Sequence, residues 1–210
     1  MPTLRILYDV EGWAFHRRAL ALRQHAPSGF TVELSALPRL EGLEEALGTT
    51  PLDAVFLLPG RKAAATRRAL QARGWPTKLI VSWSIGWPVW RDEFDLAYAA
   101  ADAIVFNNAR YWEGTGRRPR TQVIYNGVDL RTFRVLTPPA QRVARVLWLG
   151  SEFHRVRKGY DAFALPLRQR LEGDGIGCDF RLVDSQGRGL LSAAQMAAWY
   201  NSGTVLVCTS

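Results

Sequence analysis

The sequence predicts an α/β protein built from two doubly wound parallel-sheet domains in tandem, the second incomplete. Three observations predict it. Short apolar, β-branched runs alternate with amphipathic segments, a pattern that calls for parallel strands covered by helices on both faces. The alternation stops at Pro138-Pro139 and then begins again with Val143 to Leu149. The loops with neither period (Glu11 to Trp13, Ser82 to Trp90, Asn126 to Asp129, Ser151 to Gly159) all follow strands, where ligands of such sheets bind. The first domain is assigned to residues 1–138 and the second to 139–210.

Each element has its own local reason. Leu4 to Val10 is a short apolar run that fits a buried strand. In the helix expected from Ala14 to His25, Phe15, Ala19 and Leu22 make one apolar stripe, and Pro27-Ser28-Gly29 ends it. Phe30 to Leu34 is a second strand and Leu40 to Leu47 a weaker helix. Asp53 to Leu58 is a third strand, stopped by Pro59-Gly60. Arg61 to Arg73 reads as a helix closed by Gly74, where a residue with φ > 0 is wanted. Lys78 to Ser82 is a fourth strand, Asp95 to Ala100 a short helix, and Asp102 to Phe106 a fifth strand. A helical turn at Ala109 to Glu113 precedes a sixth strand, Thr121 to Tyr125.

Asn126-Gly127 should end that strand in a tight turn, because both residues tolerate φ > 0. Asp129 should cap the helical turn that follows, returning Phe133 to the core. After the restart, Tyr160 to Leu171 is a helix that must bend or break near Pro166. Asp179 to Asp184 is a strand. Ser192 with Gln195 forms a capping box for a helix whose apolar edge is Met196, Trp199 and Tyr200. Thr204 to Cys208 is a last strand.

The composition is that of a water-soluble domain, 48% hydrophobic and 22% charged. No run approaches the roughly 20 apolar residues that span a bilayer, and no signal peptide is visible. Cys178 and Cys208 lie in or beside apolar runs and are expected to be buried free thiols, which fits a cytoplasmic protein. The net charge is +8, nearly all from arginine, and the pI is about 10.1. The cations are dispersed (Arg17, Arg18, Arg23, Arg67, Arg68, Arg117, Arg118, Arg120), as on solvated helix faces. No nucleic-acid-binding signature accompanies them, so no specific nucleic-acid partner is expected. Basic helix faces allow peripheral contact with an anionic membrane surface.

The sharpest chemical signal is Ser151-Glu-Phe-His-Arg-Val-Arg-Lys-Gly159, set between a strand and a helix. Arg155, Arg157 and Lys158, with the helix N-terminus, would hold a diphosphate; a solvated basic loop is the equal alternative. Gly12, in the first strand-to-helix turn, either lets backbone N–H groups approach a ligand or simply makes the turn. GxGxxG and GxxxxGK[ST] motifs are both missing, which argues against an ordinary nicotinamide site or a P-loop. The histidines are His16, His25 and His154, and the first two read as surface residues on or near the first helix. No Cys/His cluster has metal-ligand spacing, and no residue is marked as catalytic. Trp13, Trp83, Trp87 and Trp90 form either an apolar wall for an acceptor or part of the core.

Four segments together resemble one family. Val123-Ile124-Tyr125-Asn126-Gly127-Val128-Asp129 with Phe133 resembles the V-I-x-N-G-V-D-x-x-x-F signature of GT-B glycosyltransferases of family 4. Asp102 to Asn108, Gly150 with Lys158-Gly159, and Met196 to Tyr200 with Val205 to Ser210 resemble that family's further segments, in order. The resemblance implies two facing Rossmann-like domains with the active site between them, and Asn126, Gly127 and Asp129 in the cleft and interdomain turn. It implies transfer of a sugar from a nucleotide-diphosphate donor to a carbohydrate, lipid-linked or small-molecule acceptor, with retention. No cofactor or essential metal is implied beyond the nucleotide sugar itself.

Lys158 matches the family's donor-phosphate lysine, and Gly12 its glycine loop. The family's arginine position is Ser151 here, so its role passes to Arg155 or Arg157. The family's histidine after the fourth strand is missing, and its glutamate-rich donor segment would lie beyond Ser210. The chain is therefore expected to be a transferase whose donor half is cut short or, alternatively, a truncated, non-catalytic binding protein of the same fold.

Overall fold

A computed structural model describes residues 1–84, 90–183 and 191–208. The chain divides into two units, Met1–Asn126 and Gly127–Ser210. In the first unit six strands, β1 (Thr3–Tyr8), β2 (Thr31–Ala36), β3 (Ala54–Leu57), β4 (Lys78–Trp83), β5 (Ala103–Phe106) and β6 (Thr121–Val123), form a sheet of order β2-β1-β3-β4-β5-β6. Every neighbouring pair is parallel. The helices are α1 (Ala14–Gln24), α2 (Leu43–Leu47), α3 (Ala63–Ala72), α4 (Arg91–Ala100) and α5 (Ala109–Gly114).

The strand order explains the two cores. The chain moves one way from β1 to β2 and the opposite way in every later crossover, so right-handed connections put α1 on one face and the later helices on the other. Strand alternation shows the same split. Ile6, Tyr8 and Leu58 bury against Ala19 of α1. Leu7, Val55, Leu57, Val81, Trp83 and Phe106 bury with Leu43, Leu47, Leu70, Phe94 and Ala97 of the later helices. On the α1 face, Ile80 and Val105 are only half-buried.

The second unit carries β7 (Arg145–Ser151), β8 (Gly177–Val183) and β9 (Val205–Val207) in the parallel order β8-β7-β9. Its helices are α6 (Leu165–Gly173) and α7 (Ala193–Asn201). Ser192 and Gln195 form the expected capping box on α7. The expected break at Pro166 takes the form of a π-helical turn over Tyr160–Ala164 that runs into α6. A proline that cannot donate into the helical ladder is accommodated by widening the preceding turn.

Several expectations change. The turn does not sit at Asn126-Gly127, since neither residue takes a positive φ. It comes later, where Asp129 accepts from the Arg131 N–H (3.0 Å) and the Thr132 hydroxyl (3.0 Å), and Phe133 N–H donates to the Asp129 carbonyl (2.8 Å). Asp129 thus caps the single helical turn expected after it, three residues later than the Asn126-Gly127 turn site. Phe133 stays half-buried against Tyr200, with ring centroids 6.4 Å apart. The cysteines are free, but Cys178 is half-buried and Cys208 exposed, because β8 and β9 are less covered than β7.

The units divide after Asn126 rather than near Pro138 because Asn201 at the end of α7 binds the intervening segment. Its side chain accepts from Leu136 N–H (2.8 Å) and donates to the Arg134 carbonyl (3.0 Å).

Candidate functional site

The turn from β7 to the π-helical segment is built around Gly159. Its backbone is left-handed (φ +60°, ψ +33°), and a Cβ there would lie 2.7 Å from Phe163 Cδ2. Its carbonyl accepts from both Phe163 N–H (2.9 Å) and Ala164 N–H (3.1 Å), which starts the helical run. Lys158 N–H donates to the His154 carbonyl (2.7 Å), closing the short 3₁₀ turn Glu152–His154 onto the same corner. Gly150 upstream is required as well, since any side chain would overlap the Trp148 ring. The Lys158-Gly159 pair therefore sits rigidly at the carboxyl end of the central strand of the sheet.

The three cations of this turn have different surroundings. Arg155 is clasped by Asp161 through two bonds (2.7 and 2.6 Å), meets Glu152 at 3.1 Å, and lies over the Tyr160 ring at 4.8 Å. These bonds push its pKa up, the Asp161 bond most, and hold the Asp161 carboxyl below its usual range. Arg155 as it stands braces the turn. Arg157 is exposed and has no acidic partner among the described residues. Lys158 is half-buried. His154 has its pKa lowered by burial and then by the charges of Arg157 and Lys158, both close to it.

Gly12 takes φ +79°, but its N–H is already committed to His16 Nδ1 at 2.8 Å. His16 stacks on Tyr8 with centroids 4.5 Å apart, so it stabilises the N-terminus of α1 rather than decorating a surface. Trp13 is 39% exposed and keeps an open face. Trp83 is 1% exposed and packs edge-on against Phe94 at 5.3 Å. It is core, and no acceptor can reach it. Trp90 packs half-buried against the same core beneath the Arg61 guanidinium, 4.5 Å away. Trp87 lies outside the described residues. Asn126, Gly127 and Asp129 are all exposed, and Asp129 is spent on its own turn.

The sequence also hid some polar contacts. Arg67, read as part of a solvated face, braces the sheet edge through the Ala100 carbonyl (2.7 Å) and Asp102. Arg18 reaches from α1 to the Ser82 hydroxyl (3.3 Å) at the end of β4. Asn107, just past β5, has its Oδ1 enclosed with no hydrogen-bond partner. Among the described residues, no three of His, Cys, Asp or Glu gather as a metal site, and no helix is long and apolar enough to cross a membrane.

These parallel, helix-covered sheets define a Rossmann-like α/β fold. Two solved structures share it. One is the apo form of the lipopolysaccharide outer core galactosyltransferase WaaB: 14% identity, TM-score 0.55, covering 100% of this chain and 74% of that one. The other is MnaA of S. aureus in complex with UDP: 8% identity, TM-score 0.60, covering 98% of this chain and 73% of that one. No protein-family model matches the chain, and no curated protein matches it.

Proposed function

We propose that this chain is a nucleotide-sugar-dependent glycosyltransferase of the family 4 type, with the diphosphate end of its donor site at Arg157 and Lys158. The observation that carries this reading is the pair of cations beside left-handed Gly159 at the carboxyl end of the central strand β7. The shared fold supports it, since one similar structure is named a galactosyltransferase and the other holds UDP.

In the proposed reaction an acceptor hydroxyl oxygen bonds to the anomeric carbon as the bond from that carbon to the diphosphate oxygen breaks; the leaving diphosphate keeps the electron pair and takes up the hydroxyl proton. Lys158 supplies a point charge and Arg157 a fork to the oxygens where that charge gathers. Arg155 joins them only when a diphosphate displaces Asp161. The same reading includes retention of configuration, no resident metal, an acceptor on the first unit beside Trp13, and a cytoplasmic setting with peripheral membrane contact. These rest on the family resemblance, and the free thiols Cys178 and Cys208 suit a reducing compartment.

The test is calorimetric titration of UDP into the full chain and into Lys158→Ala. Loss of one charge-assisted phosphate contact should weaken binding by about tenfold or more. Equal affinity in the two proteins would remove Lys158 from the donor site. Release of UDP from UDP-galactose with an acceptor pool present then separates transfer from binding alone.

A further inference from the structure

The α1 face of the first sheet holds a cation, Arg18, that meets no carboxylate among the described residues. Arg18 is half-buried, and burial alone lowers its pKa. Its one described polar contact is a long bond to Ser82, a neutral hydroxyl that is itself 1% exposed. Phe15 lies below the guanidinium at 5.8 Å. Other half-buried arginines of this unit meet carboxylates, Arg5 with Glu33 and Arg67 with Asp102. A desolvated guanidinium with no anion destabilises the fold unless something else supplies the charge.

Its position gives the cost a purpose. Ser82 pairs with Val105 across β4 and β5, so alternation puts Ser82, Val105 and Asn107 on one face at the carboxyl edge of the sheet. That edge is where ligands of parallel sheets bind. The face is thinly covered there, with Val105 half-buried. Asn107 follows at the same edge, with an enclosed Oδ1 that has no hydrogen-bond partner.

We propose that Arg18, held from its buried side by the Ser82 hydroxyl, forms an anion subsite for a hydroxylated acid, the phosphate or carboxylate of an acceptor sugar. The assignment to an acceptor rests on the transferase reading; the binding itself needs neither donor nor turnover. A planar guanidinium with most of its donors unused suits either anion as a two-pronged fork.

The experiment titrates the full chain with glucose 6-phosphate, glucuronate and glucose, and compares Arg18→Met, Arg18→Lys and Ser82→Ala. Either or both anionic sugars should bind more tightly than glucose, and which one binds distinguishes phosphate from carboxylate. Arg18→Met should lose about tenfold or more in that affinity, Arg18→Lys should retain part of it, and Ser82→Ala should lose less. The thermal midpoint of Arg18→Met should stay equal or rise, because an uncompensated cation has been replaced by an apolar side chain.

No preference for anionic sugars, or unchanged binding in Arg18→Met, overturns the subsite. A fall in the thermal midpoint of Arg18→Met also overturns it, since the guanidinium would then be serving the fold. Because UDP and Lys158 take no part, failure of the donor site leaves this outcome readable, and the reverse holds too.

Discussion

Replacing Asn201 by alanine should release the segment that precedes β7. Asn201 is 9% exposed at the last position of α7. Its Oδ1 accepts from Leu136 N–H at 2.8 Å and from Arg142 Nη2 at 3.1 Å. Its Nδ2 donates to the Arg134 carbonyl at 3.0 Å and to the Ala197 carbonyl at 2.8 Å. An average bond of this kind contributes about 1 kcal/mol net. Leu136 and Arg134 are exposed, so water can replace part of what is lost. The cost in Asn201→Ala is therefore about 2 kcal/mol rather than the full sum. Asn201→Asp keeps the accepted bonds, including a longer one from Thr137 N–H (3.4 Å), and gains charge against Arg142, but it sets a carboxylate oxygen against the Arg134 and Ala197 carbonyls, so it should cost about as much as alanine.

Native-state hydrogen exchange at the Leu136 amide reads this directly. A loss of about 2 kcal/mol corresponds to roughly thirtyfold faster exchange, and the aspartate variant should exchange about as fast as alanine. Amides in β1 and β3 of the other unit should be unaffected. A change at Leu136 below about 0.5 kcal/mol would refute the claim that this side chain fastens residues 134–142 to the second unit.

Other outcomes follow from the same contacts. Trp83→Ala should destabilise the first unit by about 3–5 kcal/mol in urea denaturation, since a buried aromatic is removed from beside Phe94; a mild change would return Trp83 to the surface. Asp161→Asn should tighten UDP binding in calorimetry by freeing Arg155, whereas Arg155→Ala in the native background should alter it little; the opposite order would make Arg155 a resident phosphate ligand. His154 is depressed in the folded state, so the unfolded chain takes up its proton first as pH falls. Its contribution to stability is present above about pH 6.5 and is lost as pH drops toward its lowered folded value. UDP bound at Arg157 and Lys158 should offset their charge and raise the His154 pKa in an NMR titration; no movement would put the diphosphate elsewhere.

The strands were legible because buried parallel strands read as unbroken apolar runs. Ile6-Leu7, Val55 to Leu58 and Leu79 to Val81 need no knowledge of their partners. Local polar chemistry was legible too. Ser192 and Gln195 are three residues apart, and their capping box closes within one turn. Pro166 had to disturb its helix, although sequence alone did not specify a π-turn. What stayed hidden depends on distant partners. Asn201 acts across 65 residues on Leu136. Trp83 looked like part of an aperiodic loop, yet it is the last residue of β4 and takes that strand's inward position. Asn126-Gly127 resembled a tight turn by composition, but neither residue takes a positive φ, and the chain turns later, on the Asp129 side chain.

Charge shows most clearly how a sequence count and a structure differ. A net charge of +8 suggests a general attraction for anions. In the fold, many of those cations hold other parts of the chain: Arg5 meets Glu33, Arg73 meets Glu44, Arg118 meets Asp95, and Arg155 meets Asp161. Such pairs contribute architecture and offer little to a ligand. Arg155 illustrates the difference within one loop. By sequence it is equivalent to Arg157, two residues on, but the left-handed turn at Gly159 brings Asp161 onto Arg155 and leaves Arg157 exposed. The informative quantity is therefore the positive charge left unneutralised after folding. Among the described residues, Arg157 in the turn after β7 and Arg18 at the end of β4 meet no carboxylate. A diphosphate at the first and an acidic sugar at the second would answer both.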